Sequence, residues 1–320
     1  MKLVSYFFIL SLITLFLVIA NLLFGAVSVP LDSIVDAFWD HTNPNHFTIH
    51  EYRFPRIIIA LLVGAMMALA GALVQGVIRN PLASPDILGV SHGAGLAAVI
   101  YMTFFPDAAI EWLPLVALLG SFLAAIILWR LCGQHSTTVK LAITGVALAA
   151  LYASCVDFLM LVKPLEINNA LLWLTGSLWG RGWTQLSLLL PWLVLIPAAL
   201  WLAKPLNLIH LGDEHATSLG THTNTVRLAA LAIAVGLTAS CVAICGPIGF
   251  LGLVAPHLTR KLVGGRHQAL LPATMLVGAI LLLLADLAAR TIDPPIELPA
   301  GIMTAIIGAP YFLWLLLRSK

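Results

Sequence analysis

Three arginines and two acids stand out, because each sits where an apolar chain tolerates charge least. Arg53 and Arg56, three apart around a proline in YRFPR, head an uncharged run from Ile57 to Ile78. Asp157 and Asp286 lie inside apolar runs, and Arg290 follows Asp286 by four residues. An acid in such a place is by default a candidate for relaying a proton or sodium ion. At i, i+4, however, Arg290 can neutralise Asp286, and local pairing is the favoured reading. Asp157 has no opposite charge within a turn, and its role stays open. Lone arginines at a membrane edge usually contact headgroups. A group of them at one edge also suits a basic rim that docks an acidic partner.

Other chemistries lack their residues. The chain contains no G-x-x-x-x-G-K-[ST] phosphate loop, no HExxH, no GxSxG and no paired-carboxylate signature. If its work uses ATP, another chain binds it. His41, His46 and His50 cluster in WDHTNPNHFTIHEYR, but their spacing matches no recognised metal site. Cys132, Cys155, Cys241 and Cys245 all lie in or beside apolar runs, which fits packing between helices rather than disulfides. No metal and no cofactor is expected.

The polar breaks carry more information. RNPLASPDILGVSHGAG (79–95) interrupts apolar sequence with Pro81, Pro85, Gly89, Gly93 and Gly95. CGPIGFLGLVAPH (245–257) is a second break. Each holds a proline, then a hydrophobic-Leu-Gly-hydrophobic step, then a histidine. Irregular backbone at membrane depth is tolerated only where protein buries it or where it lines a cavity. Such breaks suit a transport path better than a simple anchor.

These elements must be positioned by helices. Of 320 residues, 61% are hydrophobic and 9% charged, against about 25% charged in soluble domains. The outer surface must therefore face lipid. The apolar runs are continuous rather than alternating, so the fold class is all-α and polytopic. Uncharged runs cover 3–31, 57–78, 87–106, 112–129, 141–156, 182–203, 228–259, 267–285 and 298–317. The run 228–259 splits at Gly246-Pro247, giving about ten transmembrane helices in one domain, 1–320. The apolar N-terminal run is too long for a signal-peptide core and reads as a retained first helix. The two breaks then fall on opposite faces, which suggests an inverted repeat of spans 2–5 and 7–10. With both termini cytoplasmic, 11 of the 16 Lys and Arg lie inside and 5 outside, the orientation that the positive-inside rule selects. The longest polar segment on that inner side is 206–227. Within it GDEHATSLG reads as a short amphipathic helix, with Asp213 near its start, Ala216 and Leu219 on one face and Gly220 closing it. It suits either a passive turn or a coupling element for another protein's groove.

YRFPRIIIALLVGAMMALAGALVQGVIRNPLASPDILGVSHGAG, LGDEHATSLG, CGPIGFLGLVAPHLTR and ELPAGIMTAIIGAP resemble, in order and over essentially the whole chain, the permeases of iron–siderophore and vitamin B12 ABC importers, the FecCD family. NNALLWLTGSLWGR (168–181) and RNPLASPDILGV look most similar to its ferric citrate (dicitrate) branch, the FecD-type subunit. The resemblance implies an inner-membrane type II importer. A second permease subunit, paralogue or copy, completes the path, two ABC ATPase subunits sit beneath, and a periplasmic substrate-binding protein delivers the ferric chelate. It implies that Arg53, Arg56 and Arg290 dock that protein. It also implies that Gly212, Asp213, Ala216, Leu219 and Gly220 form the coupling helix on the ATPase. Asn80 and Leu82 would belong to the cytoplasmic gate, with Thr138 facing it; Val139 departs from a hydroxyl residue found in a relative. An ion-coupled secondary transporter, or a vitamin B12 or haem permease of the same family, is the alternative reading.

Overall fold

A computed structural model describes residues 2–318, except 26, 28, 31–33, 35, 38, 134–136, 165 and 166. Among the described residues there are helices and no strands. Helix α1 spans Lys2–Leu23, α2 Phe54–Ile78, α3 Val90–Phe104, α4 Leu113–Cys132 and α5 Thr138–Val162. Then come α6 (Ile167–Leu174), α7 (Trp183–Leu189), α8 (Leu195–Trp201), α9 (Ala203–His210) and α10 (Asp213–Ser218). The last four are α11 (Thr223–Cys245), α12 (Leu251–Val263), α13 (His267–Thr291) and α14 (Ala300–Arg318).

Among the described residues, seven helical segments are long and apolar enough to cross a membrane. Three shorter helices, α3, α12 and α14, stand where the sequence places spans 3, 8 and 10. Two boundaries differ from the apolar runs. The first helix ends at Leu23 instead of continuing to 31. The second begins upstream of the run: a π-helical turn, Phe47–Arg53, leads without a gap into α2, so the apolar segment extends over Phe47–Ile78. The span at 182–203 is also interrupted, by a 3-10 turn at Leu190–Val194 that separates α7 from α8.

The helices pack reciprocally. In the expected repeat, α2–α5 correspond to α11–α14. Helix α2 packs on α13 as α11 packs on α4, α3 pairs with α4 as α12 pairs with α13, and α2 and α11 cross each other. Two repeats related by a pseudo-twofold axis pack in this reciprocal way.

Helix α2 lies at the centre, and 83% of its most apolar window is buried. Its small residues explain how. A Cβ on Gly64 would fall 2.5 Å from the Gly278 carbonyl oxygen of α13, and a Cβ on Gly71 would fall 1.9 Å from that of Gly252 in α12. Backbones touch directly at both crossings, the small-residue packing that membrane helices use where no hydrophobic drive distinguishes neighbour from lipid. Filling such a contact forces backbone to move, at about 1–3 kcal/mol. We therefore expect Gly64→Ala to lower the thermal midpoint of the detergent-purified protein. Gly249→Ala, where a Cβ would meet nothing within 4 Å, should leave it unchanged.

Candidate functional site: charge clusters at the two ends of α2

At the first end of α2, five charged side chains from three segments, Arg53, Arg56, Asp286, Arg290 and Glu297, meet below the surface. Asp286 has no exposed surface, and Arg53, Arg56 and Arg290 are 1–2% exposed. Arg56 donates to Asp286 Oδ1 from Nε at 3.0 Å and from Nη2 at 2.8 Å. Its Nη1 donates to Glu297 Oε2 at 2.6 Å and to the Tyr52 hydroxyl at 2.9 Å. Tyr52 in turn donates to Glu297 Oε1 at 3.0 Å. Arg290 approaches the other Asp286 oxygen at 3.2 Å and hydrogen-bonds the Asn21 side chain of α1. Asn21 is itself tied to the Leu17 and Leu283 carbonyls, at 2.8 and 3.3 Å.

Arg53 uses no acid. It donates to the carbonyls of Leu22 at 2.5 Å, Leu23 at 3.0 Å and Val27. Leu22 and Leu23 close α1, whose last carbonyls have no partner within the helix and carry the negative end of its dipole. Arg53 thus caps α1, which explains why that helix ends before the apolar run does.

This arrangement corrects one expectation and supports another. An exposed basic rim is not what these arginines form: their charge is answered within the chain by Asp286, Glu297 and main-chain carbonyls. The i, i+4 pairing of Asp286 with Arg290 is present, but Asp286 also holds Arg56, 230 residues away in sequence. Asp157 lies elsewhere, on the exposed stripe of α5 with Ile143, Val146, Leu151, Phe158 and Leu161.

At the opposite end of α2 the chain leaves the helix through Arg79, which has φ 56°, a left-handed conformation unusual outside glycine. Asn80 Oδ1 accepts from Leu82 N–H at 2.9 Å, a side chain holding its own turn. A 3-10 turn, Pro85–Leu88, and the left-handed Gly89 then lead into α3. With Pro81, Leu82 lines a small apolar recess together with Leu253, Val254, His257, Tyr311 and Phe312 of α12 and α14. Thr138, half-buried, opens α5, and Thr137 caps that helix by accepting from Lys140 N–H at 3.2 Å. Helix α5 meets the break further along, where Gly145 lies against the Ile87 carbonyl.

Beside this turn lies α10. Gly212, at φ 114°, lets the chain enter it, and Gly220, at φ 79°, lets the chain leave. Ala216 is fully buried whereas Leu219 is 62% exposed. The helix ends at Ser218, and Leu219 is its cap. Asp213 pairs with Arg79 and also with Arg227 of α11, at 2.7 and 2.8 Å. Partial burial pushes its carboxyl up, but the Arg227 and Arg79 hydrogen bonds and charges outweigh this and hold it below the usual carboxylate range. Upstream, α9 is fixed to the start of α13: Asn207 Oδ1 accepts from His267 N–H at 2.9 Å, and its amide donates to Gln268 at 2.6 Å. Sequence reading missed both sets of partners, since a 230-residue or 134-residue separation leaves no local spacing to detect.

Removing one member of a buried ionic cluster leaves uncompensated charge, at a cost of about 3–5 kcal/mol. Asp286→Asn should therefore lower the thermal midpoint far more than Asp157→Asn, measured by tryptophan fluorescence in detergent. Equal midpoints for the two variants would contradict the buried cluster.

The comparisons with known proteins agree with this architecture. The FecCD transport family matches residues 13–318. The chain is 49% identical over 297 residues to the Fe(3+) dicitrate transport system permease protein FecD of Escherichia coli (strain K12), covering 92% of this chain and 93% of that one. It is 46% identical over 310 residues to the Fe(3+)-citrate import system permease protein YfmE of Bacillus subtilis (strain 168), covering 96% and 93%. A metal-chelate type ABC transporter solved in an inward-facing conformation superposes with a TM-score of 0.86 at 32% identity, covering 99% of both chains. A multi-pass helical membrane protein with these matches along its length belongs to the FecCD transport family.

Proposed function

We propose that this chain is the permease subunit of an ABC importer that carries a ferric chelate, with ferric citrate the leading substrate, across the inner membrane. The identity to two ferric citrate permeases over more than nine-tenths of the chain carries the reading. With no phosphate loop of its own, the chain would rely on two ATPase subunits, and α10 presents to them an exposed Leu219 on a short, anchored helix. Both termini would be cytoplasmic, on the same side as α10 and the 79–82 turn.

A second permease subunit is supported by the exposed stripe of α5. A carboxylate such as Asp157 is costly against hydrocarbon and in membrane helices faces a bundle interior or a water-filled cavity. That supports a stripe turned toward a path shared with a partner rather than toward lipid. The turn Asn80–Leu82, with Thr138 at the head of α5, would gate this path at its inner end. The periplasmic binding protein would dock at the Arg53 end of α2. There Arg53, Arg56 and Arg290 act by holding α1, α2, α13 and Glu297 in register beneath the docking surface.

An ion-coupled transporter finds less support. Asp286, one of its two candidate acids, is occupied by two arginines and has no exposed surface.

In vesicles containing the permeases, the ATPases and the binding protein, radioiron supplied as ferric citrate should accumulate with ATP and continue after ion gradients are collapsed. Uptake that follows an imposed ion gradient without ATP would overturn the proposal. Leu219→Asp should keep the ATPase bound yet reduce uptake per ATP hydrolysed, since a charge in a packed groove lacks a partner. Normal import by that variant would remove α10 from the coupling role.

A further inference from the structure

The proposed function leaves open how movement of α10 reaches the turn at the end of α2. We propose that Asp213 is the positioning residue that links them, by holding Arg79 of the turn and Arg227 of α11 on one carboxylate. This rests on the reading of α10 as the coupling helix.

The three residues belong to segments far apart in sequence. Asp213 is the first residue of α10, Arg227 lies in the first turns of α11, and Arg79 is the residue on which α2 ends. The two arginines differ in what lies behind them. Helix α11 is buried along most of its second half, from Gly236 to Cys245, so Arg227 belongs to a fixed body. Arg79 leads into Asn80 and Pro81, which are exposed, and into the recess around Leu82. Asp213 therefore lies between a fixed point and a movable one.

Backbone geometry adds a second observation. Arg79 adopts a left-handed conformation without being glycine, asparagine or aspartate, which the side chain disfavours. A side chain anchored from outside the turn supplies a reason for that conformation. The next residue passes the constraint on, because Asn80 fixes Leu82 through its own side chain.

Exposure also separates this cluster from the one at the other end of α2. The Arg79 and Asp213 side chains are 31% and 47% exposed, whereas Asp286 is fully buried. Exposed pairs are weak and screened by salt. The Asp286 cluster is a weld, and the Asp213 cluster is a tie that can stretch and reform as α10 moves. No other charged side chain among the described residues pairs with Asp213.

The test measures ATP hydrolysed per ferric citrate imported by the complete complex in vesicles. Arg79→Gln should raise that ratio about fivefold or more, the lower range for coupling between sites. Arg79→Lys should restore most of the coupling. Asp213→Asn should match Arg79→Gln, and the double variant should be no worse than either single one. Raising salt should move the wild-type ratio toward that of Arg79→Gln while leaving the variant unchanged, a response that a merely structural role does not give. If Arg79→Gln fails to assemble, Arg79→Lys and the wild-type salt series still decide. An unchanged ratio in Arg79→Gln, a wild-type ratio indifferent to salt, or additive single variants would overturn the inference. If Leu219→Asp uncouples but Arg79→Gln does not, the link fails and the coupling reading stands. If neither uncouples, the coupling reading itself fails.

Discussion

A carboxylate inside a membrane protein must be neutralised where it stands, and Asp286 is neutralised from two directions at once. Arg56 reaches it from α2 and Arg290 from its own helix, while Glu297 and Tyr52 complete the partners of Arg56. A low-dielectric surrounding makes each missing partner expensive. The arrangement therefore fixes the start of α2, the end of α13 and the segment after it as one unit. Asn21 and Arg53 bring α1 into the same unit by hydrogen bonding rather than by charge. Along its length α2 is then held by glycine contacts with α12 and α13. Only its other end, at Arg79, meets solvent and a weaker, exposed ion pair. The mechanical asymmetry of the molecule follows from this contrast between a buried cluster and an exposed one.

The breaks in the chain obey a related constraint. Backbone that leaves a helix within a membrane must find its hydrogen bonds inside the protein. The 245–250 break is covered in this way: Cys245 O accepts from Ser177 N–H at 2.7 Å, and Gly176 lies against Pro247. The 79–95 break is covered by α5 through Gly145. The glycines here serve close approach more than looseness. Gly93 is pressed against Gly120 of α4. At the start of this break Arg79, Asn80 and Pro81 are exposed, and Ala83 is buried.

The sequence revealed the helices well, because hydropathy over about twenty residues is a property of each segment by itself. It placed both breaks, the short helix at Asp213 and its glycine boundaries, since glycine and proline act locally. It failed where a charge was taken as the edge of a span. Arg53 and Arg56 do not mark the end of the buried segment, because acids and carbonyls elsewhere in the chain answer them. The same blindness hid Arg79 as a partner of Asp213, 134 residues away. Pairings across a hundred residues or more leave no periodic trace, so only the folded chain displays them.

The central claim is that the 79–82 turn closes a path between two permease subunits. Cross-linking tests it most directly, with Leu82→Cys and a cysteine at the matching position of the partner permease. A disulfide needs Cα atoms within about 7 Å. The account predicts that the bond forms in the closed state, depends on the nucleotide bound, stops uptake, and that reduction restores uptake. Failure to cross-link in every nucleotide state, or efficient cross-linking with undiminished transport, would contradict it.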